Sequence, residues 1–378
     1  MQIEQKKWTP EKTWETLRCD LNDRALYQLV IVFGSRTLLS STGFYEEIRK
    51  HYPKAEILMN STSGEIIDTQ VNDDTISLTA IHFNKTKFTT HSISISDCES
   101  SLEAGKKLAS SFNNNELTNI LVISDGQMVN GSDLVHGLQS ILPKNVIVTG
   151  GLAGDGSRFQ KTLVGLNEQP AEGKIIAVGF YGSDIRVSHG SKGGWDPFGP
   201  ERLVTKSKAN VLFELDGQPA LDIYKKYLGE HSDELPGSAL LFPLSVKMSD
   251  NEEPVVRTIL SINEDEKSLT FAGNIPTGSY ARLMKANFDR LIEGASNAAM
   301  NSMQKLDKPD LAILISCVGR KLVLNQRVEE EVEAIRDMLG KKTAITGFYS
   351  YGEISPTKGY MTCELHNQTM TITTMSEK

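Results

Sequence analysis

One pattern constrains this chain more than any other: a short apolar run passes into Thr-Gly and then into a Gly-acid pair, and the block occurs twice. Val146-Ile-Val148 leads into Thr149-Gly150 and on to Gly154-Asp155, while Thr343-Ala-Ile345 leads into Thr346-Gly347 and on to Gly352-Glu353. Each block follows a second apolar run, one ending in Ile123-Ser124 and the other in Ile315-Ser316. Between run and block lies a helical stripe: Leu134, Leu138, Ile141 and Leu142 in the first copy, Val328, Val332, Ile335 and Leu339 in the second. Short continuous apolar runs separated by helices predict buried, parallel strands. The expected class is therefore α/β: two related domains with mixed sheets, an internal duplication, and helices packed on the sheets. Gly64-Glu65 repeats the Gly-acid pair a third time, just after the run Ile57-Leu-Met59.

The remaining segments fill in this plan. Leu29-Val-Ile-Val-Phe33 reads as a buried strand and residues 44–52 as a helix. Residues 76–82 and 88–95 alternate with period two and predict a pair of antiparallel strands. Ser100 and Glu103 form a capping box that opens a helix. Phe288, Leu291, Ile292, Ala295, Ala299 and Met303 share one helical face, and residues 361–365 and 370–374 predict a closing strand pair. Glu329, Glu330, Glu331 and Glu333 lie off the neighbouring stripe and are expected to face water. Residues 190–200 are rich in Gly and Pro, with Trp195 and Phe198 available to pack them down, and read as the join between domains. The expected division is an extension over 1–24, an N-terminal domain over 25–200 and a C-terminal domain over 201–378.

Composition narrows the function classes. The 378 residues carry 40 Lys plus Arg against 48 Asp plus Glu, a formal charge of -8. That balance argues against a dedicated nucleic-acid or polybasic membrane-surface protein. No run reaches the ~18–20 apolar residues of a membrane span, and the first residues lack the apolar core of a secretory signal. The four cysteines have no C-x-x-C spacing, so a reduced, cytoplasmic protein is the expectation.

Glycine turns directly after buried strands carry the functional signal, because ligands of α/β sheets bind beyond the carboxyl ends of strands. Here the turns span 60–65, 124–126, 149–156, 316–320 and 346–353, and on equivalent strand ends they would line one cleft. The candidate ligand-binding residues are Ser61, Ser63, Glu65, Gly151, Asp155, Ser316, Cys317, Arg320, Tyr349, Tyr351 and Glu353. The acids Glu65, Asp155 and Glu353 either hold a ligand amine or, as turn carboxylates commonly do, cap nearby N–H groups. Arg320 suits a carboxylate or phosphate, or an ion pair with the Glu-rich helix. Cys317 is a candidate nucleophile if a cation lowers its pKa, and a buried inert thiol otherwise. The seven histidines form no metal-spaced cluster. His189 and His366 are candidate single axial ligands for a haem, which needs one protein nitrogen and an apolar pocket.

Several segments resemble the FIST domain family. Ser316-Cys-Val-Gly-Arg320, Gly347-Phe-Tyr-Ser-Tyr-Gly-Glu-Ile-Ser-Pro356 and His366-Asn-Gln-Thr369 are similar to its C-terminal part. Ser61-Thr-Ser-Gly-Glu65, Gly150-Gly-Leu-Ala-Gly-Asp155 and Leu215-Asp-Gly-Gln-Pro-Ala220 are similar to its N-terminal part and junction. The resemblance covers about residues 25–375. It implies an intracellular sensory module for small ligands, amino acids having been proposed. Resemblance to stand-alone bacterial members further implies haem binding and nitric oxide sensing, relayed to a separate histidine kinase or cyclic-di-GMP enzyme. No kinase, cyclase or methyl-accepting segment is recognisable, and a homodimer is compatible with this reading. The competing expectation is an enzyme using Cys317 or Ser316 as nucleophile, for which no base is visible.

Overall fold

The computed structural model describes residues 1–41, 43–248, 254–357 and 363–378. Its architecture is mixed α/β, as the apolar runs predict, with helices on the outside of mixed sheets. The two expected copies of the plan are joined by a further copy over residues 2–82. Each unit opens with a strand that pairs antiparallel with the same unit's last strand: Gln2–Thr9 with Ile76–His82, Lys87–Ser94 with Lys174–Tyr181, and Ile185–Lys192 with Met370–Glu377. Each unit also holds a parallel pair bridged by helix: Leu29–Gly34 with Glu56–Ser61, Leu117–Ser124 with Ile147–Leu152, and Leu311–Cys317 with Ala344–Ser350. In all three, the last strand lies antiparallel against the first strand of the parallel pair.

The units are interlocked by a cyclic exchange. After its Gly-acid turn, each chain segment leaves its own sheet and covers the open edge of a neighbour's parallel pair. Glu65–Ile67 of the first unit pairs with Ala344–Ser350 of the third. Gly352–Pro356 of the third pairs with Ile147–Leu152 of the second. Val164–Leu166 of the second pairs with Glu56–Ser61 of the first. An unpaired strand edge is a liability that must be covered, and here each unit covers the next. The inner faces of the three sheets share one core, in which Ile31, Phe33 and Leu58 meet Leu121, Ile123 and Ile176 and also Ile313, Ile315 and Phe348. The rings of Phe33 and Phe348 lie 4.8 Å apart. These strands are buried on both faces, which is why they read as unbroken apolar runs.

A fourth, eight-stranded antiparallel sheet is inserted into the third unit between Ile185–Lys192 and the helix Phe288–Ser302. It has its own core of Val204, Leu212, Tyr224, Phe271 and Leu283. It docks on the second sheet through the buried Arg257, whose Nη1 donates to Leu365 O at 2.6 Å.

Several expectations need correction. The strands Ile76–His82 and Lys87–Ser94 are not a pair; they close one sheet and open the next. Cys363–His366 pairs with Gly352–Pro356 in the second sheet and Met370–Glu377 with Leu311–Cys317 in the third, so they are not a closing pair; residues 361 and 362 lie outside the described residues. Alternation records that a strand has two unlike faces, but not which strand it meets. Residues 1–24 are no extension: Gln2–Thr9 and Thr13–Cys19 are strands of the first sheet. The boundary expected at 200/201 falls inside the strand Asp196–Lys208, where a register shift between Phe198 and Arg202 absorbs the Gly and Pro residues. Trp195 does pack down, its Nε1 donating to Gln368 O at 2.8 Å. Glu331 is fully buried rather than hydrated.

Candidate functional site

The three Gly-acid turns meet where the exchanged strands cross. Their backbones are bonded to one another: Ser63 N donates to Tyr349 O at 2.8 Å, Tyr349 N to Gly64 O at 2.9 Å, Gly154 N to Ser61 O at 2.9 Å and Tyr351 N to Leu152 O at 3.2 Å. Ser61 Oγ adds a bond to Gly154 O at 2.7 Å. A Cβ at Gly154 would overlap the Ser63 hydroxyl, so glycine permits the close crossing. The amides expected to receive an anion are thus largely spent on holding the units together.

Two of the three acids are held alike. Glu65 is buried; Oε1 accepts from Thr62 Oγ1, and Oε2 accepts from Thr75 N at 3.2 Å and Thr75 Oγ1 at 2.7 Å. Glu353 is buried; Oε1 accepts from Ser350 Oγ at 2.7 Å, and Oε2 accepts from Thr369 N at 3.1 Å and Thr369 Oγ1 at 2.9 Å. Thr75 and Thr369 each stand immediately before the last strand of their unit. Each carboxylate therefore ties the departing strand to the start of the returning one. Burial pushes Glu65 up to about 7 and Glu353 up to about 8, because hydroxyl and amide donors only partly replace lost hydration. Asp155 is also buried but meets cations: Arg36 Nε lies at 2.9 Å, Arg158 Nη2 at 2.6 Å, and Lys161 N donates at 3.2 Å. Sequence reasoning missed the partners Thr62, Thr75, Ser350 and Thr369. The shared spacing Thr62-x-x-Glu65 and Ser350-x-x-Glu353 was the available signal.

Arg320 is not free to take a ligand. It is fully buried, with Nε 3.1 Å and Nη2 2.7 Å from Glu331 Oε2, and it also donates to Leu291 O at 2.8 Å and to Gly193 O. Glu331 Oε1 accepts from Tyr349 Oη at 2.6 Å and Ser316 Oγ at 3.2 Å. Ser316, Arg320, Tyr349 and Glu331 thus form one closed polar cluster in the third unit, in which each buried charge has its partner. Cys317 is buried and its thiol is pushed up to about 12 by that burial, the opposite of an activated nucleophile.

Beside the interlocked turns opens a cleft of about 560 Å³. Ser63, Gly64 and Asp73 of the first unit, Arg158 of the second and Lys321 of the third all line it. Lys321 reaches across it, donating to Ser63 O at 2.9 Å and pairing with Asp73. Of the expected residues, Ser63 and Glu65 line this cleft. Tyr351 lines a second cavity, of about 390 Å³, with Phe159 stacked at 4.5 Å. Gly151 sits within a strand opposite Glu353. The turn at 124–126 faces the second cavity, through Gly126. The glycine turns converge, then, but do not line a single space.

The two histidines are apart from this site. His366 is buried, with Nε2 3.0 Å from Ser355 O, and burial pushes it down to about 4. His189 lies on the strand Ile185–Lys192 and lines a separate cavity of about 310 Å³. Among the described residues no group of three or more His, Cys, Asp or Glu is placed to hold a metal ion. No helix of the described residues is long and apolar enough to cross a membrane.

Comparison with known proteins bears on this arrangement. An uncharacterized protein of Methanocaldococcus jannaschii is 24% identical over 238 residues, covering 54% of this chain and 44% of that protein, so the chain spans less than half of that curated relative's length. A solved cyanuric acid hydrolase from A. caulinodans aligns over 78% of this chain and 100% of its own at 9% identity with a TM-score of 0.19, too slight a likeness to bear on fold or activity. The FIST N domain matches residues 28–218 and the FIST C domain residues 220–356. FIST domains are small-ligand sensory domains of signal transduction rather than enzymes. Matched by both of that family's domains along most of its length, the chain belongs to the FIST family.

Proposed function

We propose that this protein senses a small ligand in the cleft between Ser63, Arg158 and Lys321 and passes its occupancy to a separate partner protein. One observation carries the reading: all three units contribute walls to this cleft, beside the point where Glu65–Ile67 of the first unit enters the third unit's sheet. A ligand there bridges three bodies at once and changes how tightly they pack, which is what a sensor needs. The polar walls present Lys321 and Arg158 as cations and Asp73 and Asp74 as anions. That pairing suits a zwitterion such as a free amino acid. A thermal-shift screen of amino acids and related metabolites tests it. At least one compound raises Tm in the wild-type protein, and Lys321→Ala and Arg158→Ala each diminish the rise. A screen without hits, or hits indifferent to both substitutions, removes the proposal.

The haem reading fits less well. His366 is bonded and lines none of the described cavities, and the His189 cavity is lined by Lys144, Lys192 and Lys305 rather than by an apolar slot for a flat macrocycle. Nitric oxide sensing and relay to a histidine kinase or cyclic-di-GMP enzyme rest on that reading. The nucleophile reading fares no better: Cys317 is a buried high-pKa thiol, and Ser316 donates to Glu331 rather than to a base facing a cavity.

A further inference from the structure

We propose that the cavity beside His189 is a second binding site, for a small organic phosphate, independent of the cleft at the turns. Its walls come from the strand Ile185–Lys192, from residues at and beyond the end of the helix Phe288–Ser302, and from the rim of the second sheet at Lys144–Ile147 and Pro356. Lys144, Lys192 and Lys305 line it, and no aspartate or glutamate does so among the described residues. None of the three ammonium groups has an ion-pair partner among the described residues, whereas Lys161, Lys174, Lys225 and Lys321 all do. In a chain of net charge -8, a concave patch of unpaired positive charge runs against the whole. A bound dianion would meet positive charge brought from separate walls.

The other walls define the rest of the ligand. Ser188, Ser191 and Asn301 supply neutral hydrogen-bonding groups. Burial and the nearby Lys305 push His189 down, so at neutral pH its ring offers an N–H without a fourth positive charge. Val146, Ile147, Val187 and Pro356 form an apolar side. The volume of about 310 Å³ lies at the small end of ligand pockets, enough for a phosphate bearing a short hydrocarbon or a single ring. Ammonium point charges brought from separate walls suit a tetrahedral dianion; a planar carboxylate is better served by the arginine fork, which this cavity lacks.

Isothermal titration of the full chain at low ionic strength with phenyl phosphate, inorganic phosphate and benzoate decides the matter. Phenyl phosphate is expected to bind best and benzoate worst, with affinity falling as salt is added. The double variant Lys144→Gln, Lys192→Gln should weaken phenyl phosphate by about tenfold or more, while Lys144→Arg, Lys192→Arg retains it and Lys321→Ala leaves it unchanged. Absence of phosphate binding by the wild-type protein, equal binding by the double Gln variant, or loss of binding in Lys321→Ala overturns the proposal. The last result would place phosphate at the turns instead, while a failed amino-acid screen leaves this test untouched.

Discussion

Glu65 and Glu353 occupy the same place as Asp155 in the repeated plan, yet the three turns are held by opposite means. The two glutamates accept their hydrogen bonds from hydroxyls and amides, and burial raises both toward neutrality. Asp155 is clamped by Arg36 and Arg158. The difference follows the chain path. After Glu65 and Glu353 the backbone enters its guest strand at once, so Phe348 pairs with Glu65 just as Gly151 pairs with Glu353. After Asp155 it detours and begins its guest strand only at Val164. The detour brings Arg158 into the cleft and opens space beside the crossing. A threefold plan with one lengthened arm thus produces one corner held by arginines and two held by uncharged donors, of which the Glu65 corner shares the open cleft with Arg158.

Breaking a fully paired buried charge should have the largest effect and sets the scale. Arg320→Ala strands Glu331 without its cation and should cost about 3–5 kcal/mol in denaturant unfolding. Asp155→Asn leaves Arg36 and Arg158 without their carboxylate, but both arginines are partly exposed, so about 1–3 kcal/mol is expected. Thr369→Val removes one hydroxyl donor from Glu353 while keeping the backbone bond, and should cost about 1 kcal/mol and raise the Glu353 pKa further.

The sharpest contrast comes from Glu353→Gln. A glutamate ordinarily titrates at 4.5, and Glu353 in the fold at about 8. The folded state therefore binds the proton more tightly, so this group's stabilisation is full below 4.5 and fades as pH rises to about 8; Glu65 behaves alike up to about 7. The wild-type protein should lose stability across that window. Glu353→Gln, which cannot ionise, should flatten the loss and be the more stable protein at pH 9. A steeper loss in Glu353→Gln, or an unchanged slope, would show that Glu353 is ionised in the fold at neutral pH.

Much of this was legible in the chain. The parallel strands declared themselves as apolar runs because they are buried on both faces, and Gly64-Glu65 already marked a third turn. What the residues did not disclose was which sheet each strand joins. The exchange sends Glu65–Ile67 and Gly352–Pro356 into foreign sheets, and local patterning carries no record of a distant partner. Arg320 and Glu331 misled for a related reason: a charge buried with its partner looks, in sequence, like a charge in water. Ser63 and Glu65 were readable as cleft residues because glycine marks a close crossing, whereas Arg158 lies on an irregular detour without a motif.

The claim that one cleft couples all three units has a direct test in amide hydrogen exchange, with and without the compound that most raises Tm. Simultaneous added protection in Glu65–Ile67, Val164–Leu166 and Gly352–Pro356, lost in Lys321→Ala, is the predicted result. Protection confined to a single unit, or absent from all three exchanged strands, would contradict it.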